Sequence, residues 1–313
     1  MGERVSQSDL DRDLARLWAE TTDPRAGVFG PDTLVWEVAR EAIIFLGAGR
    51  AALLQLAHPY VGVAVGEHSV TRSDPLTRFR GTFRRIFRMV FGDLSEATQA
   101  ARAVYAVHSR IRGVIGEEAG GLAASHVYDA RDRAAKVWVL ATLWDTSLWL
   151  FDRVVRPLSA AEKQRYYEEN RRFGLLFGIA DALPPSFAAF EQYVAETLAG
   201  PKLEITAPAA EIGRLIMHPR NPLGRLVSQD YCTFTAHLLP ERLAQGFGLD
   251  RGGAAGSRRF QQILRIAKLG TPRLPARIRY LPAYIEATRR LSGNTDRDRL
   301  GEILSRLYVG QVR

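Results

Sequence analysis

Histidine and arginine are the side chains of this chain whose placement could do chemistry. Histidine binds metals and moves protons near neutral pH, and six occur: His58, His68, His108, His126, His218 and His237. His58 and His218 each precede a proline, at helix ends where a cation meets the C-terminal dipole and needs no ligand to explain it. His108 differs. With Ala101, Val104 and Ile111 it falls on one face of a helix expected over 93–111. An imidazole in such an apolar stripe is costly unless its nitrogens find partners. A metal or a haem iron is one such partner, and a backbone carbonyl or a buried water is another. A second unusual feature is the basic run DPLTRFRGTFRR over 74–85, in which Arg78, Thr82 and Arg85 stand at i, i+4 and i+7 along one helix face. Arginines so placed could hold carboxylates in bidentate fashion, including the two propionates of a haem. A solvated basic edge is the plainer reading of the same spacing.

The elements that must position these residues show in the 3.6-residue period that dominates the chain. A helix is expected over 10–21, with Ser8 and Asp11 spaced as a capping box. Helical spacing recurs over 34–46, is interrupted by the glycines at 47 and 49, resumes over 50–57 and is expected to end at His58-Pro59. A loop over 69–74 leads to Pro75, which can open the basic helix that Gly92 closes. Asp93 with Glu96, Ser159 with Glu162, and Ser186 after two prolines mark three further helix starts. The stretch 136–155, apolar and rich in tryptophan (Trp138, Trp144, Trp149), reads as a central buried helix. No Val/Ile/Thr-rich alternating run of useful length occurs, nor any internal repeat or low-complexity linker. The expected fold is all-α: one large multi-helix domain spanning 1–313.

Composition narrows the function classes. Hydrophobic residues make up 46% and charged residues 25%, which suits a packed globular core and not a disordered or fibrous chain. The longest apolar runs are broken by Asp145, Gln55, His58 and Pro59 before reaching the roughly 18–20 residues that cross a bilayer. A lone cysteine, Cys232, can close no internal disulfide and fits a reducing compartment, so the expected location is cytoplasmic. Net charge is +9, carried mainly by arginine scattered among acids without interleaved aromatics. That pattern disfavours specific nucleic-acid binding. It leaves a plain solvated surface or a weak peripheral contact with a membrane. There is no Cys-x-x-Cys-His, no nucleophile elbow and no P-loop. The glycines of GAGRAA over 47–52 follow a helix and not a strand, so they form no dinucleotide fingerprint.

Taken in order, the segments GAGRAALLQLAHP (47–59), VGVAVGEHS (61–69), DPLTRFRGT (74–82), HSRIRG (108–113), YDARDRAAKVWVLATL (128–143) and PLSAAE (157–162) resemble the haem-dependent oxygenases of the fungal mpaB and bacterial latex-clearing (rubber oxygenase) type. The resemblance spans about 34–290. It implies an all-α fold holding haem b, with His108 as proximal iron ligand. It also implies Arg78 and Thr82 as the arginine and threonine of the signature helix beside the haem, and O2 acting on a small apolar, even isoprenoid, substrate. Arg85 would join Arg78 at the propionates. One departure stands out: rubber oxygenases carry a lysine just before that threonine as a distal ligand, and here the position is Gly81. The sixth iron position is then open, or filled by another side chain such as His58 or His68, and polyisoprene cleavage itself is in question. A haem-binding sensor or carrier without turnover, and a haem-free helical protein binding lipid or a partner, are the alternatives.

Overall fold

Helix starts follow the capping chemistry of the sequence. A computed structural model describes residues 3–68, 75–218, 222–294 and 298–309. Among them α6 (Leu94–His108) opens on a capping box of Asp93 with Glu96, and α8 (Ala160–Leu175) opens on one of Ser159 with Glu162. Ser186 caps α9 (Phe187–Ala199). Each cap satisfies orphan N–H groups and is worth about 1 kcal/mol. The first helix corrects the sequence expectation. Its box is Ser6 with Asp9, not Ser8 with Asp11, and α1 runs Gln7–Glu20.

The expected helix over 34–46 divides into α2 (Leu34–Ala39) and a 3-10 turn (Ala42–Gly47), and α3 (Ala48–Leu56) starts straight from it. The glycines at 47 and 49 therefore do not break the chain. They allow close packing: a Cβ on Gly47 would lie 2.5 Å from Thr146 Cγ2, and one on Gly49 would lie 2.8 Å from Thr235 Oγ1. Pro59 is also corrected. It opens α4 (Pro59–His68) after a 100° bend, since proline loses nothing at a first helical position.

Two long helices follow as a hairpin, α5 (Pro75–Phe91) and α6, reversing at Gly92-Asp93 and packed along their length. The turn is pinned from outside. Leu94 N–H donates to Pro24 O at 2.9 Å, Trp36 Nε1 to Val90 O at 2.8 Å, and the Arg290 guanidinium to Phe91 O at 2.8 Å. After α6 comes the only sheet among the described residues, an antiparallel pair of β1 (Arg112–Val114) and β2 (Val127–Asp129) with Gly113 opposite Tyr128.

α7 (Arg133–Leu150), capped by Asp132, continues into a π turn (Phe151–Val155) and is the central buried helix expected over 136–155. It touches α2, α3, α8 and α9, and the Trp138 indole donates to Leu54 O at 2.8 Å. One main core cluster joins residues from Val5 to Ala287. Beyond α9 the chain remains helical: α10 (Ala207–Met217), α11 (Pro222–Leu238), α12 (Glu241–Gly246), α13 (Gly253–Gly270), α14 (Ala276–Arg279), α15 (Pro282–Leu291) and α16 (Arg299–Val309). The all-α expectation is met. No single helix among the described residues is long and apolar enough to cross a membrane.

Candidate functional site

The α5–α6 hairpin carries the principal candidate residues on its two arms. His108 ends α6, on the face that buries Ala97 and Ala101 and half-buries Val104 and Tyr105. Its ring is half-buried and its Nδ1 is shielded from solvent. Across the hairpin, Thr82 is half-buried, and Phe83 and Phe87 of α5 meet Phe45 of the 3-10 turn in a tilted and an edge-on contact (centroids 4.6 and 6.2 Å) that form an aromatic wall. Arg85 is exposed, and its Nη1 donates to Gly81 O in its own helix at 3.3 Å. It thus lies at the solvent edge of the arm. Arg78 belongs to α5, but its side chain lies outside the described residues, as does the loop expected over 69–74.

His58 and His68 occupy the two ends of α4. His58 stands edge-on to Tyr60 (5.4 Å), and its shielded Nδ1 has no hydrogen-bond partner. Burial, reinforced by the nearby Lys202 ammonium, lowers its pKa to about 4, so it is a neutral imidazole with an orphaned polar atom. Tyr60 Oη lies 2.6 Å from His126 Nε2. At the other end, His68 Nε2 is 2.9 Å from Tyr128 Oη, which donates to Glu67 Oε2 at 2.6 Å. Tyr128 is wholly buried while Glu67 and His68 are exposed. Burial first, and then the Glu67 carboxylate, raise the phenol pKa well above its ordinary value, so the phenol keeps its proton. The ring crosses the strand pair at Gly113, where a Cβ would fall 2.6 Å from the Tyr128 oxygen.

The sequence reading gave site roles to Arg78, Thr82, Arg85, His108, His58 and His68 but none to Tyr60, Glu67, His126 or Tyr128. It also passed over Lys136, which the turn after Asp132 carries into the interior. Lys136 is buried, with Nζ 3.4 Å from Phe177 O and 5.7 Å from the Tyr105 ring centroid. Burial lowers its pKa to about 8. Leu10, Ala101, Val104 and Leu176 complete the small crevice around it. A lysine inside an otherwise apolar helical stretch was the available signal.

These donors suit a porphyrin better than a bare ion. Among the described residues no three His, Cys, Asp or Glu side chains gather as a metal site. A haem brings four nitrogens of its own and asks the protein for an axial imidazole, apolar walls and cations for its propionates. The shielded His108 nitrogen, the aromatic wall and the arginines of α5 are groups of those kinds.

Comparison with known proteins agrees with the fold. The family model described as "ER-bound oxygenase mpaB/B'/Rubber oxygenase, catalytic domain" matches residues 35–269. Two relatives, the uncharacterized proteins Rv2237 of Mycobacterium tuberculosis and Mb2261 of Mycobacterium bovis, are each 27% identical over 236 residues, covering 72% of this chain and 88% of theirs. No solved structure matches. The family match covers most of the chain: it belongs to the mpaB/rubber oxygenase catalytic-domain family.

Proposed function

We propose that this protein is a haem b-dependent oxygenase that uses O2 to oxidise or cleave a small apolar substrate. The observation that carries the reading is His108, a half-buried imidazole on an apolar helix face with its Nδ1 out of solvent, in a chain of an oxygenase family. His108 would hold the iron, and Arg78, with Arg85 at the solvent edge, would pair the propionates. When bound, the haem supplies activation of O2. The chain's own groups do the rest. Thr82 offers a hydroxyl on the arm facing α6. The Phe45, Phe83 and Phe87 wall excludes water and favours an apolar substrate. The neutral His58 and the protonated Tyr128 Oη add no charge of their own at the two ends of α4.

Gly81 favours a second reading, a haem protein without turnover, since the lysine that the resemblance leads one to expect is missing. The test has two arms. Purified protein supplied with haemin is expected to show a Soret band, and His108→Ala to lose the haem or change its spin state. A correctly folded sample that stays colourless would refute haem binding, and an unchanged His108→Ala spectrum would move the ligand role to His58 or His68. Oxygen consumption with apolar substrates then separates an oxygenase from a carrier or sensor.

A further inference from the structure

Nine large hydrophobic side chains are exposed among the described residues, and four cluster in the stretch 266–278: Ile266 (61%), Leu269 (53%), Leu274 (44%) and Ile278 (61%). This is the corner where α13 ends, a 3-10 turn (Thr271–Arg273) follows and α14 begins. Its inner side is fixed. Thr271 is buried, Arg279 holds the buried Glu41 carboxylate at 2.7 and 2.8 Å, and Leu281 N–H donates to Arg40 O at 2.8 Å. Its outer side is open, and every residue over 272–278 is exposed. On α13, Ile266 and Leu269 share the outward face with Arg265, and Lys268 stands at its margin. Arg265 and Lys268 have no carboxylate partner among the described residues.

The excess of base over acid falls in the same stretch of sequence, in which Arg251, Arg259, Arg277, Arg279 and Arg290 pair with acids from outside it. Residues 251–292 contain ten of the 43 lysines and arginines and one of the 34 acids, Glu286; the other 33 bases and 33 acids cancel, so this stretch accounts for the net charge of +9. The expectation of arginines scattered among acids fails here, as it does along the basic run of α5.

We propose that the α13–α14 corner docks on the surface of an anionic lipid bilayer, with the four aliphatic side chains entering the headgroup boundary and Arg265, Lys268 and Arg273 meeting lipid phosphates. Aliphatic tips ringed by cations with long, snorkelling stems are the chemistry of interfacial attachment. A second copy of this chain fits poorly, because a self-complementary contact would set these cations against their own copies. A protein partner would favour aromatic anchors, and the four exposed side chains are all aliphatic. The attachment is peripheral, and it does not depend on the haem reading.

The test is co-sedimentation of the full chain with phosphatidylcholine vesicles, with and without phosphatidylglycerol. Wild type is expected to bind only the anionic vesicles. Ile266→Ser with Leu269→Ser, and separately Arg265→Glu with Lys268→Glu, are expected to weaken binding at least about tenfold with unchanged thermal midpoints. Arg16→Glu with Arg102→Glu, which changes net charge equally on exposed positions of α1 and α6, is expected to keep most of it. Absence of vesicle binding, equal binding to uncharged vesicles, or equal loss in the α1/α6 variant would each overturn the proposal.

Discussion

Gly81 is where this chain departs from the pattern it otherwise follows, and its surroundings give no packing reason for a glycine. Among the described residues a Cβ there would meet only Arg85 Nη1, at 3.7 Å, while a glycine inside a helix costs about 0.5–1 kcal/mol relative to alanine. Gly81→Ala is therefore expected to raise the unfolding free energy read in urea denaturation by about 0.5–1 kcal/mol. Gly81→Lys should also be accommodated. In haem-loaded protein it should shift the absorption toward a six-coordinate spectrum, an effect that a purely structural glycine would not produce. His58 gives a second expectation, in pH dependence. Its folded pKa near 4 lies below the ordinary 6.5, so between these values the unfolded chain takes up a proton that the folded chain does not. Stability is then complete above pH 6.5 and falls as pH drops toward 4, by about 3 kcal/mol at the full shift. His58→Leu should flatten that part of the pH–stability curve of the haem-free protein in chemical denaturation, and an unchanged slope would remove His58 as its source. The half-burial of His108 was legible in the sequence because the apolar spacing of its neighbours lies within one helix. The pairings of Tyr60 with His126, and of Tyr128 with His68 and Glu67, were not, because each joins residues about sixty positions apart and no local period encodes them.

The hairpin of α5 and α6 sets the relation between Thr82 and His108, and its turn is held both by side chains from outside and by a close backbone approach at Gly27. Gly27 has φ +84°, and a Cβ there would fall 2.1 Å from Gly92 O. Neither the conformation nor the space admits a side chain. Gly27→Ala is expected to cost about 2–4 kcal/mol and to loosen the register of the two arms. Haem affinity should then fall along with the denaturation midpoint, both read on the same sample. The capping boxes at Asp93 and Ser159 were readable because the cap and its partner are three residues apart and interact within one turn. The same reasoning failed at Gly47, Gly49 and Pro59. A glycine that admits a neighbouring helix and a glycine that ends its own look alike until the partners, here Thr146 and Thr235, are known. A proline likewise closes one helix or opens the next, depending on a bend that only tertiary packing decides.

The ion pair of Glu41 with Arg279 joins segments 238 residues apart in sequence. Glu41 precedes the 3-10 turn that leads into α3 and is completely buried, and Arg279 ends α14 at the basic corner. Two guanidinium nitrogens reach the carboxylate, at 2.8 Å from Nε and 2.7 Å from Nη2, and backbone pairing of Glu41 with Tyr280 runs beside them. Such a pair contributes little net stability when both charges must be desolvated, yet breaking it strands one charge in the interior. Arg279→Met is accordingly expected to cost about 3–5 kcal/mol, far more than a surface arginine. Adding Glu41→Gln should recover much of that loss, since the stranded carboxylate is then gone. A double-mutant cycle by urea denaturation reads the difference directly. The cycle also tests how the molecule is divided. If the corner is anchored to the core through this pair, Arg279→Met should weaken binding to anionic vesicles as well, because residues 272–278 would no longer be presented from a fixed base. Full vesicle binding in a destabilised Arg279→Met protein would mean that the corner acts as an autonomous basic segment, held by its own helices and not by Glu41.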